Sequence, residues 1–175
     1  MADVSERFAP VDARVDAWID GRRSPGLDRV FYGLSTAADH GRLWHAVAGV
    51  TALVRREPKY AARFSLALGI ESAITNGAVK SLFRRVRPQE HFEHDDPLPY
   101  GMRRPITSSF PSGHAATAFM CAVVLSNRRT APAWFTLAAL VAASRVYVRM
   151  HHASDVMAGA ALGLALGGVA KRFVD

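Results

Sequence analysis

Long apolar runs that show no alternation constrain the fold of this chain more than any other feature. The two clearest are APAWFTLAALVAASRVYV at 131–148 and ASDVMAGAALGLALGGVA at 153–170. Each is close to the roughly 20 residues that a helix needs to cross a bilayer. Three further stretches, at 43–54, 61–83 and 112–126, are shorter or carry polar residues. Almost no segment alternates with the period of a strand, so we expect an all-α chain, an integral-membrane helical bundle of about five or six helices.

The 175 residues predict one domain, and the formal charge of +7 indicates an anionic partner. Nucleic acid, anionic lipid and a phosphorylated substrate would each fit that charge. Basic faces on short soluble elements are typical of nucleic-acid modules and do not stand out here, so we expect no nucleic-acid partner. The low overall hydropathy keeps a soluble helical bundle as an alternative. The single cysteine, Cys121, can form no intrachain disulfide and is predicted to be a small packing residue.

The first 40 residues differ in composition from the rest of the chain. They mix many charges with apolar residues such as Trp18, Ile19 and Phe31. This pattern is typical of an interfacial amphipathic helix but also fits a sixth, weaker span. We therefore expect an N-terminal interfacial segment over 1–40 and a membrane-embedded bundle over 41–175. The first 25 residues contain no apolar core of a secretory signal, so no cleaved targeting peptide is predicted.

Basic residues follow alternate apolar stretches and predict the orientation in the membrane. Counted as spans, the stretches put three basic clusters on one side: Arg55, Arg56 and Lys59; Arg128 and Arg129; and Lys171 and Arg172. The positive-inside rule makes that side the cytoplasm. The opposite ends of the helices then face outward together, near Arg87, His114 and His151. Further basic residues on the outer side weaken the bias, and we interpret them as anion-binding: Arg84, Arg85, Arg103 and Arg104.

Gly159, Gly163 and Gly167 recur at four-residue spacing in the last apolar stretch. Such a stripe of small residues lets two helix backbones approach closely in lipid. We expect this stripe to pack against another helix of the same bundle. The alternative is a seam between two copies of the chain in a homo-oligomer.

The motif KSLFRRVRP, at 80–88, places two cations seven residues apart. Lys80 and Arg87 would project from one face of a helix, and Pro88 would then end that helix. Two cations stacked in this way suit a polyanion, because an arginine can hold phosphate oxygens in bidentate fashion. The alternative is a helix end whose basic side chains reach for lipid headgroups.

The motif SSFPSGHAAT, at 108–117, has the features of a helix start. Pro111 suits the entry to a helix, and Ser112 and Gly113 would leave free N–H groups near its N-terminus. A helix end of this kind attracts anions. His114, in the first turn, could then donate or accept a proton beside a bound phosphate. For this motif alone, a capping serine followed by an unrelated histidine is the alternative.

The motif SRVYVRMHHASD supplies a second histidine together with a carboxylate. Ser144, His151 and Asp155 lie at i, i+7 and i+11, which is one stripe of a helix if the helix runs on. His151 and Asp155 can pair directly, leaving one ring nitrogen free to attack, and Arg145 adds a cation. Spacing does not decide the nucleophile, because His152 could also reach Asp155. The alternative is an interfacial histidine–aspartate contact that only satisfies a helix end.

Together the three motifs resemble the signature of the type 2 phosphatidic acid phosphatase superfamily. That signature reads K-x6-RP, then PSGH, then SR-x5-H-x3-D. Three segments match it without departure and in the same order: Lys80–Pro88, Pro111–His114 and Ser144–Asp155. The resemblance covers residues from about 60 to 170 and implies an α-helical bundle with its site at the outer boundary of the membrane. It also implies that His151, not His152, is the nucleophile.

The resemblance further implies a reaction that uses no metal and no cofactor. His151 would attack phosphorus and form a phosphohistidine while Asp155 orients it, and His114 would protonate the leaving oxygen. Five groups would hold the phosphate oxygens: Lys80, Arg87, Ser112, the Gly113 amide and Arg145. The implied substrate is a lipid-linked phosphate monoester or diphosphate. A prenyl-linked lipid is favoured, with phosphatidic acid or phosphatidylglycerol phosphate as alternatives.

Three other interpretations are weaker. Vanadium haloperoxidases share the signature, but their chains are soluble and much larger. A catalytically silent lipid-binding membrane protein would not be expected to keep both histidines and Asp155. His91 and His94 lie among acidic residues and could suggest a metal cluster, although the charged loop predicted over 89–110 favours solvated side chains.

Overall fold

A computed structural model describes residues 4–88 and 107–175 and contains seven α-helices in that part of the chain. They are α1 (Val4–Asp20), α2 (Pro25–Ala37), α3 (Arg42–Arg55), α4 (Pro58–Ser72), α5 (Gly113–Leu125), α6 (Ala131–Tyr147) and α7 (Ala153–Val174). A 3₁₀ turn at Asp39–Gly41 precedes α3, and a π-helical segment at Ala73–Val79 continues α4. The all-α prediction is confirmed. The helices outnumber the five or six expected because the N-terminal segment folds as two helices.

Local sequence signals explain where two of the helices begin. Ser24 is the N-cap of α2 and accepts a hydrogen bond from the Leu27 N–H at 3.3 Å, while Pro25 occupies the first helical position. Ser112 is the N-cap of α5 and accepts a longer hydrogen bond, 3.5 Å, from the Ala115 N–H. The predicted helix start within SSFPSGHAAT is therefore confirmed.

The pair α5 and α7 forms the centre of the bundle, with α6 packed against α5 and α3 packed against α4. Gly159, Gly163 and Gly167 of α7 all face α5. A Cβ at Gly163 would lie 2.9 Å from the carbonyl carbon of Ala116 and closer still to its oxygen. The prediction that the glycine stripe packs inside the bundle is confirmed. This close approach fixes the start of α5 against the start of α7.

Two clusters of buried side chains hold the helices together. The larger joins α3, α4 and α5, and its members include Trp44, Tyr60, Phe64, Met120 and Cys121. Cys121 is fully buried, as its apolar neighbours predict. The second cluster joins α1 and α2 to the turn after α6, through Ile19, Tyr32, Val146, Tyr147, Val148 and Met150. The N-terminal helices therefore pack directly on the segment that leads to His151 and His152.

The predicted helix through Arg87 to Pro88 is wrong. The last helical residue is Ser81. After a turn in which the Phe83 N–H donates to the Lys80 carbonyl at 3.2 Å, the segment 84–88 is not helical. Its backbone pairs with a distant segment instead. The Arg85 N–H donates to Ser108 Oγ at 3.1 Å, and the Ser109 N–H donates to the Arg85 carbonyl at 3.0 Å. These bonds replace another helical turn, so Lys80 and Arg87 do not share a helix face.

The continuous helix considered for 144–155 is also wrong. α6 ends in a Schellman turn, in which the Met150 N–H donates to the Arg145 carbonyl at 3.0 Å. Arg149 has a left-handed φ of 56°, a conformation that costs a residue with a side chain about 1–2 kcal/mol. α7 starts anew after this turn, so His151 lies between two helices.

One helix in the described part of the chain is long and apolar enough to cross a membrane. α7 has 22 residues and contains an 18-residue stretch with a mean hydropathy of 1.5, whereas α5 is apolar but shorter. One such helix is weak evidence for a span, so the number of spans stays a prediction. The loop predicted over 89–110 lies mostly outside the described residues, as do four residues considered above: His91, His94, Arg103 and Arg104.

Candidate active site

His151 is buried in the turn between α6 and α7, and its two ring nitrogens face opposite charges. Nδ1 lies 3.6 Å from Asp155 Oδ2, and Nε2 lies 3.3 Å from Nη1 of Arg87. The backbone N–H of His151 donates to the Arg145 carbonyl at 3.1 Å, so the Schellman turn holds the residue in place. Burial lowers the pKa of His151 well below its ordinary value, although Asp155 acts in the opposite direction. The imidazole is therefore neutral near pH 7.

His152 has different surroundings. Its contact with the Asp155 carboxylate is made by its backbone N–H, which donates to Oδ2 at 2.9 Å. Its ring lies beside the Val86 carbonyl, with Nε2 3.3 Å from the oxygen. Spacing allows either histidine to use the carboxylate, but the structure brings the ring of His151 to it. This geometry favours His151 as the nucleophile.

Lys80 and Arg87 reach the same site even though they do not share a helix face. Arg87 is buried, and its Nη1 donates to the Met150 carbonyl at 2.6 Å. Burial lowers the pKa of Arg87 to about 10, which leaves the guanidinium charged at neutral pH. Lys80 is buried too, and its ammonium interacts electrostatically with Arg87, Arg145 and Asp155. The charge of Asp155 therefore acts on both cations of the first motif.

Arg145 links the surroundings of the two histidines. Its guanidinium donates to Ser35 Oγ and lies 3.9 Å from Asp39 Oδ1, which in turn lies 2.9 Å from Nε2 of His114. Its charge acts on both His114 and His151. Burial raises the pKa of Asp39, but the hydrogen bond and charge of His114, together with Arg145, outweigh burial and leave that pKa below its ordinary value. Asp39 is therefore an anionic partner for His114.

The PSGH segment meets the other motifs through its backbone. The Ser112 N–H, predicted to be free, instead donates to the Asp155 carbonyl at 2.9 Å. Gly113 lies where a Cβ would be 2.6 Å from Asn76 Oδ1, so a larger residue would displace that side chain. The N–H groups of Gly113 and His114 lie in the first turn of α5, where a helix supplies them with no internal acceptor. They are the donors that this helix end offers to an anion.

Two acidic residues that sequence reasoning missed belong to these surroundings. Asp39 contacts His114, and Asp12 of α1 forms an ion pair with Arg85 at 2.6 Å. Arg85 also pairs with Asp155 at 2.6 Å, so the anions that it binds are carboxylates of the protein itself. Both aspartates lie in a charged N-terminal region, and no spacing relates them to a motif. Nothing in the sequence alone would have identified them.

The arrangement has the components that phosphoryl transfer needs. It offers a neutral imidazole backed by a carboxylate, a second imidazole paired with an aspartate, and several buried cations. Such a set can accept a phosphoryl group on nitrogen and protonate a leaving oxygen. In residues 4–88 and 107–175, no three or more His, Cys, Asp or Glu side chains are grouped to hold a metal ion. The metal-free reaction stays a prediction.

Comparisons with known proteins fit this chemistry. The PAP2 superfamily profile matches residues 60–175. Decaprenylphosphoryl-5-phosphoribose phosphatase of Mycolicibacterium smegmatis is 30% identical over 162 residues, which cover 91% of this chain and 84% of that protein. Undecaprenyl-diphosphatase of Sulfolobus acidocaldarius is 33% identical over 127 residues, which cover 69% of this chain and 58% of that protein.

Solved structures share the fold. The first transmembrane PAP2 type phosphatidylglycerolphosphate phosphatase from Bacillus subtilis superposes with a TM-score of 0.73 and 24% identity, covering 95% of this chain and 86% of that one. Aquifex aeolicus LpxE superposes with a TM-score of 0.72 and 25% identity, covering 93% of this chain and 96% of that one. The helical arrangement described above is therefore one that such phosphatases share.

Proposed function

The chain belongs to the PAP2 superfamily, and from this we propose that it is a membrane phosphatase that hydrolyses a lipid-linked phosphate monoester or diphosphate. One observation carries the proposal. The ring of His151 lies between a carboxylate on its Nδ1 side and the guanidinium of Arg87 on its Nε2 side. A phosphate bound to that guanidinium would bring its phosphorus atom close to Nε2.

In the first step, Nε2 of the neutral His151 attacks phosphorus. A P–N bond forms as the P–O bond to the lipid breaks, which gives a phosphohistidine. Positive charge develops on the imidazole during this step, and Asp155 on the Nδ1 side stabilises that charge. The separation of 3.6 Å is longer than a hydrogen bond, but such contacts often tighten only when substrate is bound.

His114 completes the reaction in this proposal. It donates a proton to the leaving oxygen of the lipid, then takes a proton from the water that attacks the phosphohistidine and releases phosphate. Asp39 supports this role, because a carboxylate at 2.9 Å from Nε2 stabilises the protonated ring. The same side chain, His114, is then the acid in the first step and the base in the second.

The phosphate oxygens would be held by groups from all three motifs. We assign this role to five groups: Lys80, Arg87, Ser112, the Gly113 amide and Arg145. Charge on the equatorial oxygens must be matched in the transition state, and preorganised cations and N–H groups in a buried site do this without reorganising. The Ser112 N–H is already bonded to the Asp155 carbonyl, so its hydroxyl is the group left to serve phosphate.

A prenyl-linked substrate fits best. The names of two relatives, decaprenylphosphoryl-5-phosphoribose phosphatase and undecaprenyl-diphosphatase, both refer to prenyl lipids. Phosphatidic acid and phosphatidylglycerol phosphate are the alternatives. The fold is compatible with the second of these, since one structural neighbour is a phosphatidylglycerolphosphate phosphatase.

We also propose that the bundle spans the cell membrane several times, with the site on the outer face. Large apolar side chains are exposed on several helices and would lie in lipid, among them Leu53 and Val54 of α3, Met157 and Val169 of α7. The basic clusters at the C-terminal ends of α3, α5 and α7 favour the cytoplasm for the opposite face. Residues 1–40 would lie at the interface, where the exposed ring of Trp18 suits the headgroup region, and 41–175 would form the catalytic bundle.

Phosphate release from a panel of lipid phosphates, measured in detergent with and without EDTA, tests the proposal. We expect a prenyl phosphate or diphosphate to be hydrolysed fastest and EDTA to have no effect. His151→Ala should abolish turnover and trapping of a phosphoenzyme, whereas the matched variant His152→Ala should keep much of both. Activity that EDTA abolishes, or full activity in His151→Ala, would contradict the mechanism. No hydrolysis of any lipid phosphate would contradict the function.

A further inference from the structure

Asp12 of α1 is a buried residue that lies far from the three motifs in the sequence. In the structure, however, it contacts the residues around the dyad of His151 and Asp155. Its Oδ1 accepts a hydrogen bond from the Ser154 N–H at 2.9 Å. Its Oδ2 accepts from Nη2 of Arg85 at 2.6 Å and from Ser154 Oγ at 2.8 Å. All three partners are donors, so the site requires two acceptor oxygens.

Arg85 connects Asp12 to the carboxylate beside the nucleophile. One guanidinium nitrogen, Nη2, binds Asp12, and the other, Nη1, binds Asp155 Oδ1 at 2.6 Å. Asp155 Oδ2 is then the oxygen that faces Nδ1 of His151. The fork geometry of arginine therefore fixes which oxygen of Asp155 points at the imidazole. All of these side chains are buried.

The charges of the three linked side chains matter for catalysis. Asp12, Arg85 and Asp155 together carry one net negative charge next to His151. If Asp12 were neutral, the same group would carry none. Because attack on phosphorus develops positive charge on the imidazole, the net negative charge stabilises the transition state in a site shielded from water.

We propose that Asp12 and Arg85 are positioning residues that hold and charge-balance Asp155, so that the N-terminal helix takes part in activating the nucleophile. This inference rests on the proposed phosphatase function, because it concerns the same reaction. It assigns to α1 a role beyond contact with the membrane interface. It also gives a role to the buried Arg85, at one of the positions that K-x6-RP leaves unspecified.

A purely structural role is the competing explanation. α1 is also attached to the turn before His151 through Asp16 and Asp20, which both pair with Arg149. If Asp12 only helped α1 to dock, its loss would lower stability without a specific effect on the chemical step. Phosphoenzyme formation and the separate values of kcat and KM distinguish the two explanations.

Asp12→Asn is the sharpest test, because it keeps the shape of the side chain but turns one acceptor oxygen into a donor. We expect kcat and the rate of phosphoenzyme formation to fall roughly ten- to a hundredfold, as for outer partners that orient a catalytic ligand. KM should not change, since Asp12 does not touch the substrate. Asp28→Asn is the matched control: Asp28 accepts a hydrogen bond from the Tyr147 hydroxyl at 2.7 Å and makes no contact with Asp155. It should behave as the wild type.

Arg85 provides a second pair of variants that does not depend on Asp12. Arg85→Lys keeps the charge and should retain more activity than Arg85→Met, which leaves both carboxylates unpaired. A wild-type rate of phosphoenzyme formation in Asp12→Asn would overturn the inference, as would equal kcat losses in Asp12→Asn and Asp28→Asn, or equal activity of the two Arg85 variants. A wild-type protein inactive on every lipid phosphate would instead contradict the proposed function.

Discussion

Replacing Gly163 with alanine is expected to push α7 away from α5 by roughly 1 Å, judged against ordinary carbon–carbon contacts of about 3.5–4.0 Å. The added Cβ would lie 2.9 Å from both the Cα and the carbonyl carbon of Ala116, and closer to the oxygen. These are backbone atoms within a helix, so no rotation of a side chain relieves the overlap. The two central helices must separate or bend.

Gly168 provides a matched control on the same helix, because a Cβ there would meet nothing within 4 Å. Both substitutions gain the same helix propensity, about 0.8–1.0 kcal/mol in favour of alanine. The difference between Gly163→Ala and Gly168→Ala therefore isolates the overlap, for which costs of about 1–3 kcal/mol are typical. In a chain of this size, each kcal/mol corresponds to roughly 2–4 °C in Tm.

The same displacement should affect catalysis, since α5 carries His114 and α7 carries Asp155. A misplacement of about 1 Å can cost a hundredfold in rate. We expect Gly163→Ala to lower both Tm and kcat, and Gly168→Ala to lower neither. Circular dichroism during heating in detergent gives Tm, and phosphate release from the same preparations gives kcat. Equal values for the two variants would refute the reasoning.

Two further predictions concern the histidines. Asp39→Asn should lower kcat more for an alkyl lipid phosphate than for p-nitrophenyl phosphate. The reason is that His114 must protonate a leaving alkoxide but need not protonate a nitrophenolate. Equal losses of kcat for the two substrates would contradict the role of His114 as the acid. Because burial lowers the pKa of His151, its imidazole should stay neutral as the pH falls through 6.5, the ordinary value. The unfolded chain takes up that proton first, so stability should fall below this pH. NMR of ¹⁵N-labelled histidines, with the His151 signals assigned by comparison with His151→Ala, measures the titration of His151. A pKa of 6.5 for His151 would contradict the prediction.

The helices of the C-terminal half follow from features that are local in the sequence. The stretches 112–126, 131–148 and 153–170 correspond to α5, α6 and α7, whose ends differ from them by a few residues. Hydrophobic runs, proline and a capping serine are enough to specify such helices, because the interactions that form them lie within a few residues. The packing of the glycine stripe could also be predicted from the sequence, because its only effect is to let a neighbouring helix approach closely.

The two segments that shape the site could not be predicted in this way. The helix that enters KSLFRRVRP ends early, at Ser81, because Arg85 and Val86 bond to Ser108 and Ser109, more than 20 residues away. The turn before His151 forms because Arg149 adopts a left-handed conformation that usually favours glycine. Two carboxylates from α1, those of Asp16 and Asp20, hold that arginine. Both features depend on tertiary contacts that oppose the local preference of the chain.

The arginines of KSLFRRVRP divide by their partners, and this division indicates which one serves the substrate. Arg85 and Arg87 are buried to nearly the same degree, with 6% and 7% exposure, so burial does not distinguish them. Arg85 meets two carboxylates, and its charge is balanced within the protein. Arg87 donates to backbone carbonyls, and in the described part of the chain it forms no ion pair with a carboxylate. A guanidinium whose partners are carbonyls and the neutral ring of His151 keeps its net charge for an incoming phosphate, whereas one already matched by two carboxylates does not.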